Sequence, residues 1–395
     1  GKITPNKVEV VKSFQSLKLP KLDPFSLGII IVGPWRGKVK QLNSFRGALK
    51  KWQKLTGWPI LADPLSGVEN DQEGLINHWD LFFSIGLFEK IKEIQVLRLG
   101  PIPPSRELQT WLKKPGKFHL LITEGDCRNL DPIGGSTQFS EGFSCWVDKM
   151  VEGIPVKPAI DKKIVSQKLT KELIKYDLFI HDWLDKRLFR NGLITEPALA
   201  RLLPRLLPDS IPVMIASSSP IRDWLSYSGE GAFLRRCFGF RGASGIDGTL
   251  SMGMGLSIIM GRMVLVTGDL ALLHDTNGWL FSKDKNISLI VIMIDNGGGG
   301  IFNQLNIDRI EEGDFEEIFL MPQQVCHLTL AKAYGLKYKQ VACLDDLEKA
   351  IEWSFSLSTN VLIRVCTNSI EDHRLRVNLS DDLKKTLSEN LSSFD

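Results

Sequence analysis

The sequence predicts an α/β protein built from two doubly wound parallel-sheet domains. Short, uniformly apolar runs of strand length recur along the chain, as expected of strands covered on both faces. Stretches with apolar residues three and four apart separate them, the pattern of helices crossing over a parallel sheet. The clearest runs end in Gly, Pro, Ser, Asp or Asn, placing turns and polar groups at the carboxyl ends of the strands, where open α/β sheets bind ligands. A chain of 395 residues with 43% apolar and 24% charged residues has room for two or three domains with sizeable cores. Its 49 basic and 46 acidic residues leave a net charge of +3, so no nucleic-acid partner is implied. No apolar run approaches the ~18 residues of a membrane span. Cys127, Cys145, Cys237, Cys326, Cys343 and Cys366 are scattered without a CxxC pair, which predicts reduced thiols and no zinc site.

Residues 1–22 are polar and lysine-rich, begin with Gly rather than Met, and are predicted to be a linker. The first domain is predicted over 23–160 and the second over 165–395. In the first, buried-strand runs are expected at 27–32, 58–63, 81–85, 94–99 and 118–122, with helices at 39–55 and 105–112 and a stiff proline turn at 101–104. No G-x-G-x-x-G follows the first strand, which disfavours a dinucleotide site. His78 and Arg98 are expected at the surface. Residues 125–163, with several Gly and Pro, are expected to be irregular and to end in the interdomain linker. A helix over 169–188, carrying Tyr176, His181 and Trp183, is expected to pack on the second domain.

In that domain a helix is predicted over 195–206, with Glu196-Pro197 suited to its first turn. A strand over 211–215 leads into Ser217, Ser218 and Ser219. If the chain turns helical there, Ser218 and Arg222 share one face, and an arginine at such a mouth can grip a carboxylate. The small-residue loop 240–248 enters a helix over 249–260, a geometry suited to an anion, with Ile246 as its one bulky apolar side chain after Arg241. A strand over 263–266 ends at Asp269, a helix follows over 270–281, and a strand over 289–294 ends at Asn296 and four glycines. His274 and Asp275 are read as a local hydrogen-bonding pair. A carboxylate, an amide oxygen and a bare glycine carbonyl make a hard-oxygen set of the kind Mg²⁺ prefers. Singly, each motif is an ordinary turn sequence; two of them, each after a buried strand, are far more specific.

The arrangement resembles the thiamine-diphosphate (ThDP) signature, Gly-Asp followed downstream by Asn-Asn or Asp-Asn, with Leu270 where a Gly is usual. With SSSPIRD (217–223), RGASGIDG (241–248), GDLALLHDTNG (268–278), DNGGGGIF (295–302) and EEIFLMPQ (316–323), the sequence strongly resembles the ThDP-dependent synthases of 2-succinyl-5-enolpyruvyl-6-hydroxy-3-cyclohexene-1-carboxylate (SEPHCHC) in menaquinone and phylloquinone biosynthesis. In that family Leu stands at the position of Leu270. The strong motifs cover about residues 217–322, and weaker similarity covers the rest.

The resemblance implies a central domain and a diphosphate-binding domain. A pyrimidine-binding domain, which carries the glutamate that activates ThDP, would precede Gly1, and no residue here inherits that role. Asp269, the Asn296 side chain and the Gly298 carbonyl would ligate Mg²⁺, with Mn²⁺ as an alternative. Ser244, Gly245, Ile246 and Leu270 would also contact ThDP, Ile246 by propping it in a bent conformation. Ser218, Arg222, Arg241, Ile301 and Phe302 would line the substrate site. The implied reaction decarboxylates 2-oxoglutarate and adds the succinyl-semialdehyde carbanion to isochorismate, in a cytoplasmic or plastid homodimer or homotetramer. This chain alone would be inactive. Two other readings stay open: a Mg²⁺–ThDP-binding subunit served by a separate pyrimidine-domain chain, and an acetolactate-synthase-like decarboxylase, which leaves Leu270 and RGASGIDG unaccounted for.

Overall fold

The computed structural model describes residues 19–91, 93–152, 160–189, 192–240, 245–305 and 312–391. Most of the expected linker 1–22, the interdomain stretch 153–159, and residues 241–244 with Arg241 and Ser244 lie outside them.

The first unit runs β1 (Gly28–Val32), α1 (Leu42–Thr56), β2 (Ile60–Ala62), β3 (Leu75–Ile76), α2 (Trp79–Ser84), β4 (Ile94–Leu99), α3 (Arg106–Leu112), β5 (Lys117–Ile122), β6 (Ser136–Phe139) and α4 (Phe143–Glu152). Its six strands are all parallel in the order β3-β2-β1-β4-β5-β6, the doubly wound order of a nucleotide-binding sheet. β1 is buried along its whole length, as its unbroken apolar sequence requires. Trp52 of α1 packs edge-on against Trp58 and Trp146, with ring centroids 5.9 and 4.8 Å away, closing the core on one face of the sheet.

The second unit runs α5 (Ile160–Leu188), α6 (Glu196–Leu206), β7 (Val213–Ile215), α7 (Ser219–Tyr227), β8 (Cys237–Phe238), α8 (Thr249–Met260), β9 (Met263–Gly268), α9 (Asp269–His274), β10 (Leu289–Asp295), α10 (Glu312–Phe315), α11 (His327–Ala333), β11 (Lys337–Val341), α12 (Leu344–Phe355), β12 (Val361–Cys366) and α13 (Ser369–Leu391). These six strands are also parallel, ordered β11-β12-β10-β9-β7-β8. Two six-stranded parallel sheets with crossing helices realise the α/β class expected from the sequence. Among the described residues all six cysteines are free, and no helix is long and apolar enough to cross a membrane.

Three local expectations are corrected. Residues 81–85 are not a strand: they belong to α2 and its C-terminal end, where Trp79, Leu81, Phe82 and Phe83 are buried. A short apolar run cannot distinguish a buried strand from a buried helix, and the connection from β3 to parallel β4 calls for a crossover helix. Residues 125–163 are not irregular throughout. They hold β6, an edge strand too exposed to show an apolar run, and α4, whose Phe143, Trp146, Val147 and Met150 are buried at helical spacing. The helix expected over 270–281 stops at His274 and continues as a 3₁₀ segment, Thr276–Lys283. There the Asp275 carboxylate accepts from the Ser251 amide at 2.7 Å and hydroxyl at 3.0 Å, so it pairs with Ser251 rather than with His274.

His78 and Arg98 are buried, not superficial, because each has a buried carboxylate partner. Arg98 donates to Asp131 at 2.7 Å. His78 joins the two units. Arg201 of α6 can only donate, and its Nη1 lies 2.9 Å from His78 Nε2, so Nε2 accepts and the ring proton sits on Nδ1, facing Asp177 of α5 at 2.8 Å. Arg201 also bonds Asp185 and the carbonyls of His181 and Tyr227. The long α5 therefore packs on both units rather than on the second alone.

His119 of β5 carries a pH prediction. Burial, helped by the charge of Arg98, lowers its imidazole from the usual value near 6.5 to about 4. The unfolded chain therefore binds a proton that the folded chain refuses between those values, so stability is full above pH 6.5 and falls as pH drops toward 4. His119→Gln is expected to flatten the fall of the thermal midpoint across that window.

Candidate metal and cofactor site

The site lies at the carboxyl ends of three adjacent strands, β7, β9 and β10. Register fixes the two main side chains: Gly268 of β9 pairs with Ile294 of β10, so Asp269 and Asn296 emerge just beyond neighbouring strand ends. The backbone ladder, rather than side-chain packing, sets their relation.

Asp269 is the first residue of α9 and is 6% exposed. Its Oδ1 accepts from the Leu270 amide at 2.8 Å, and the Gly298 amide also points at the carboxylate. Burial, with the charge of Asp295 adding to it, pushes this carboxyl up to about 7. A nearby cation would relieve that penalty. Gly298 has φ +130°, and a Cβ there would stand 2.0 Å from the Leu320 carbonyl oxygen. At Gly299 a Cβ would stand 2.1 Å from the Phe319 carbonyl, and the Gly299 amide donates to Leu320 at 2.6 Å. Glycine is thus required by close backbone approach from a π-helical turn, Glu316–Leu320. The Gly298 carbonyl accepts from the Gly300 amide at 2.9 Å and keeps a second lone pair.

Asn296 Oδ1 is buried and has no hydrogen-bond partner among the described residues, while Nδ2 donates to Glu196. An orphaned amide oxygen, a carboxylate raised by burial and a glycine carbonyl make a donor set of hard oxygens that fits Mg²⁺. No group of three or more His, Cys, Asp and Glu that could hold a metal occurs among the described residues, so the set gains its oxygens from an amide and the main chain.

At the next strand, Ser218 caps α7 with φ +78°, an unusual conformation for a side-chain-bearing residue. Arg222 does share its face, donating to the Ser218 carbonyl at 2.7 Å. Ile246 lies in the loop entering α8, its carbonyl accepting from the Thr249 hydroxyl at 3.0 Å and its side chain exposed; Gly245 precedes it. Leu270 is half-buried on α9 beside the Asp269 carboxylate. Ile301 and Phe302 follow the glycines in the 3₁₀ turn Gly300–Gln304, where Phe302 meets Phe319 edge-on at 5.4 Å. The structure thus brings Asp269, Asn296 and Gly298 together, with Ser218 and Arg222 one strand away.

Sequence reasoning missed a buried ionic cluster behind Asn296. Arg376 of α13 bonds Glu196 and grips Asp223 through Nε at 2.9 Å and Nη2 at 2.6 Å. Asp372 accepts from the Glu196 amide at 2.9 Å. Three carboxylates crowd one guanidinium: burial raises Asp223 to about 6 and Asp372 to about 7, and the Glu196 charge adds to both. The only sequence signal was Glu196-Pro197, which reads simply as a helix start; its partners lie 100 and 180 residues away.

Residues 220–365 match the family described as thiamine pyrophosphate enzyme, C-terminal TPP binding domain. A solved Mycobacterium smegmatis structure classed with thiamin diphosphate-dependent enzymes superposes with a TM-score of 0.55 over 87% of this chain and 61% of its own, at 14% identity, and so shares the fold. The family match thus places a thiamine pyrophosphate-binding domain in the second unit. The chain is 98% identical over 394 residues to the SEPHCHC synthase of Prochlorococcus marinus strain NATL1A and 97% identical over 395 to that of strain NATL2A, covering 66% of each. The synthase of strain MIT 9313 is 50% identical over 366 residues, with 92% of this chain and 62% of that protein covered. The chain belongs to the SEPHCHC synthase family, and spans 66% of the length of the two relatives it matches at 97% or more.

Proposed function

We propose that this chain is the central domain (23–160) and the metal- and diphosphate-binding domain (165–395) of a SEPHCHC synthase, a transferase acting in the cytoplasm. The reaction decarboxylates 2-oxoglutarate and adds the remaining four-carbon unit to isochorismate, releasing CO₂ and leaving the enolpyruvyl group in place. The observation that carries this reading is the meeting of buried Asp269 with the Gly298 loop beside the unpartnered Asn296 oxygen. Asp269, Asn296 and the Gly298 carbonyl would hold Mg²⁺ or Mn²⁺ against the cofactor's diphosphate, with Ser244, Gly245, Ile246 and Leu270 around the cofactor. ThDP, when bound, supplies the electron sink that lets a 2-oxoacid lose CO₂.

The protein's own part is binding and orientation. Both substrates carry carboxylates, and Arg222 and Arg241 supply paired N–H donors for them. Ser218 adds a polar contact, and Ile301 with Phe302 walls the pocket and excludes water. A homo-oligomer is supported by an apolar face on α8 and the following 3₁₀ segment, where Met252, Ile258, Ile259, Leu280 and Phe281 are exposed.

The glutamate that activates ThDP is supplied by a pyrimidine-binding domain, so residues 1–395 alone are expected to release no CO₂ from 2-oxoglutarate in the presence of isochorismate, Mg²⁺ and ThDP. The same residues joined to that domain should turn over and form the adduct, read by mass spectrometry. Turnover by 1–395 alone would overturn the requirement for that glutamate. An assembled enzyme that uses pyruvate and ignores isochorismate would overturn the synthase assignment.

A further inference from the structure

We propose that Glu196 is a positioning residue for the metal site, holding Asn296 with its amide nitrogen turned away and its oxygen offered to the ion. This rests on the reading of Asp269, Asn296 and Gly298 as the metal ligands. An asparagine side chain presents an acceptor at one end and a donor at the other, and its neighbours decide which end faces a site. Glu196 accepts from Asn296 Nδ2, and Asn296 Oδ1 is the buried end with no partner among the described residues. Glycine at 300 keeps room for this arrangement, because a Cβ there would lie 2.6 Å from Nδ2 and 2.8 Å from the Ser369 Cβ.

Glu196 in turn cannot swing away. Its Oε2 accepts from Arg376, which is anchored by two bonds to Asp223, and its amide is tied to Asp372. Glu196 is 3% exposed. Arg376 can only donate, so whatever occupies position 196 must turn an acceptor toward it. In Glu196→Gln the single amide oxygen goes to Arg376. The new NH₂ then faces Asn296 and captures its oxygen, which turns the Asn296 NH₂ toward the ion. Outer groups that orient a ligand commonly govern affinity by about 10–100-fold.

The test uses Mn²⁺ titration followed by electron paramagnetic resonance, with ThDP present, on the enzyme assembled with its pyrimidine-binding domain. Glu196→Gln is expected to weaken Mn²⁺ binding at least ~10-fold, with an unchanged near-ultraviolet dichroism spectrum. The exchange Glu196→Gln with Asn296→Asp restores every bond: Arg376 to the glutamine oxygen, the glutamine NH₂ to one aspartate oxygen, and the other oxygen to the metal. Its Mn²⁺ affinity is expected to return to near that of the parent and to exceed that of Asn296→Asp alone, in which two carboxylates would face each other where Asn296 Nδ2 now donates to Glu196; a merely structural role for Glu196 would not make Glu196→Gln improve binding by Asn296→Asp. Undiminished binding by Glu196→Gln overturns the proposal, and so does a double variant that fails to fold or to bind. A parent enzyme that does not bind Mn²⁺ with ThDP overturns instead the assignment of the metal site.

Discussion

Asp269→Ala is expected to remove most of the metal-dependent affinity for ThDP. Of the three proposed ligands only Asp269 is an anion; Asn296 and the Gly298 carbonyl are neutral dipoles. Its carboxylate is held out of water and beside Asp295, so without a cation its charged form is disfavoured. A divalent ion would reverse that balance, and this one charge would supply most of the attraction of the three proposed ligands for Mg²⁺. Calorimetric titration of the assembled enzyme with ThDP at saturating Mg²⁺ should show affinity falling by ~100-fold or more, about 2.7 kcal/mol. Asp269→Asn, which keeps the shape and an oxygen, should fall between alanine and the parent. Unchanged affinity in Asp269→Ala would remove Asp269 from the ligand set.

The second large effect is steric. Gly298→Ala places a methyl group 2.0 Å from the Leu320 carbonyl oxygen, far inside contact distance, at a backbone φ of +130°. Backbone strain of that kind costs about 1–3 kcal/mol. The clash adds about 1–3 kcal/mol more. The glycine loop must shift to relieve it, carrying the Gly298 carbonyl with it, so both the thermal midpoint and Mn²⁺ affinity should fall. Gly297→Ala is the control: φ is +85°, but the methyl meets no atom of the described residues within 4 Å. It should show strain alone and a smaller loss. Equal losses in the two variants would rule out the close approach of Leu320 as the reason for glycine at 298.

The site's frame was legible because it is local: a buried strand followed by Asp269, and a second followed by Asn296 and glycines. β9 and β10 sit where their apolar runs place them, and α8 has the bounds its spacing predicts. What sets the orientation of Asn296 was not legible. Glu196, Asp223 and Arg376 are far apart in the chain, and each alone looks like a helix residue of ordinary charge. His78 and Arg98 misled for the same reason: a histidine or arginine reads as exposed until the distant carboxylate that permits its burial is known. Leu81 to Ser84 failed differently, since apolar content gives burial but not the choice between strand and helix over so few residues. Arg241 and Ser244 lie outside the described residues.

The turn that covers the glycine loop touches it through main-chain oxygens: the carbonyls of Phe319 and Leu320 come closest to where side chains at 299 and 298 would begin. Such a contact constrains the two partners unequally. A saturation library should find positions 298 and 299 almost invariant, while Leu320 accepts many side chains that leave its carbonyl in place. Intolerance would be written on one side of the contact only, and covariation between the partners should be weak even though they are pressed together.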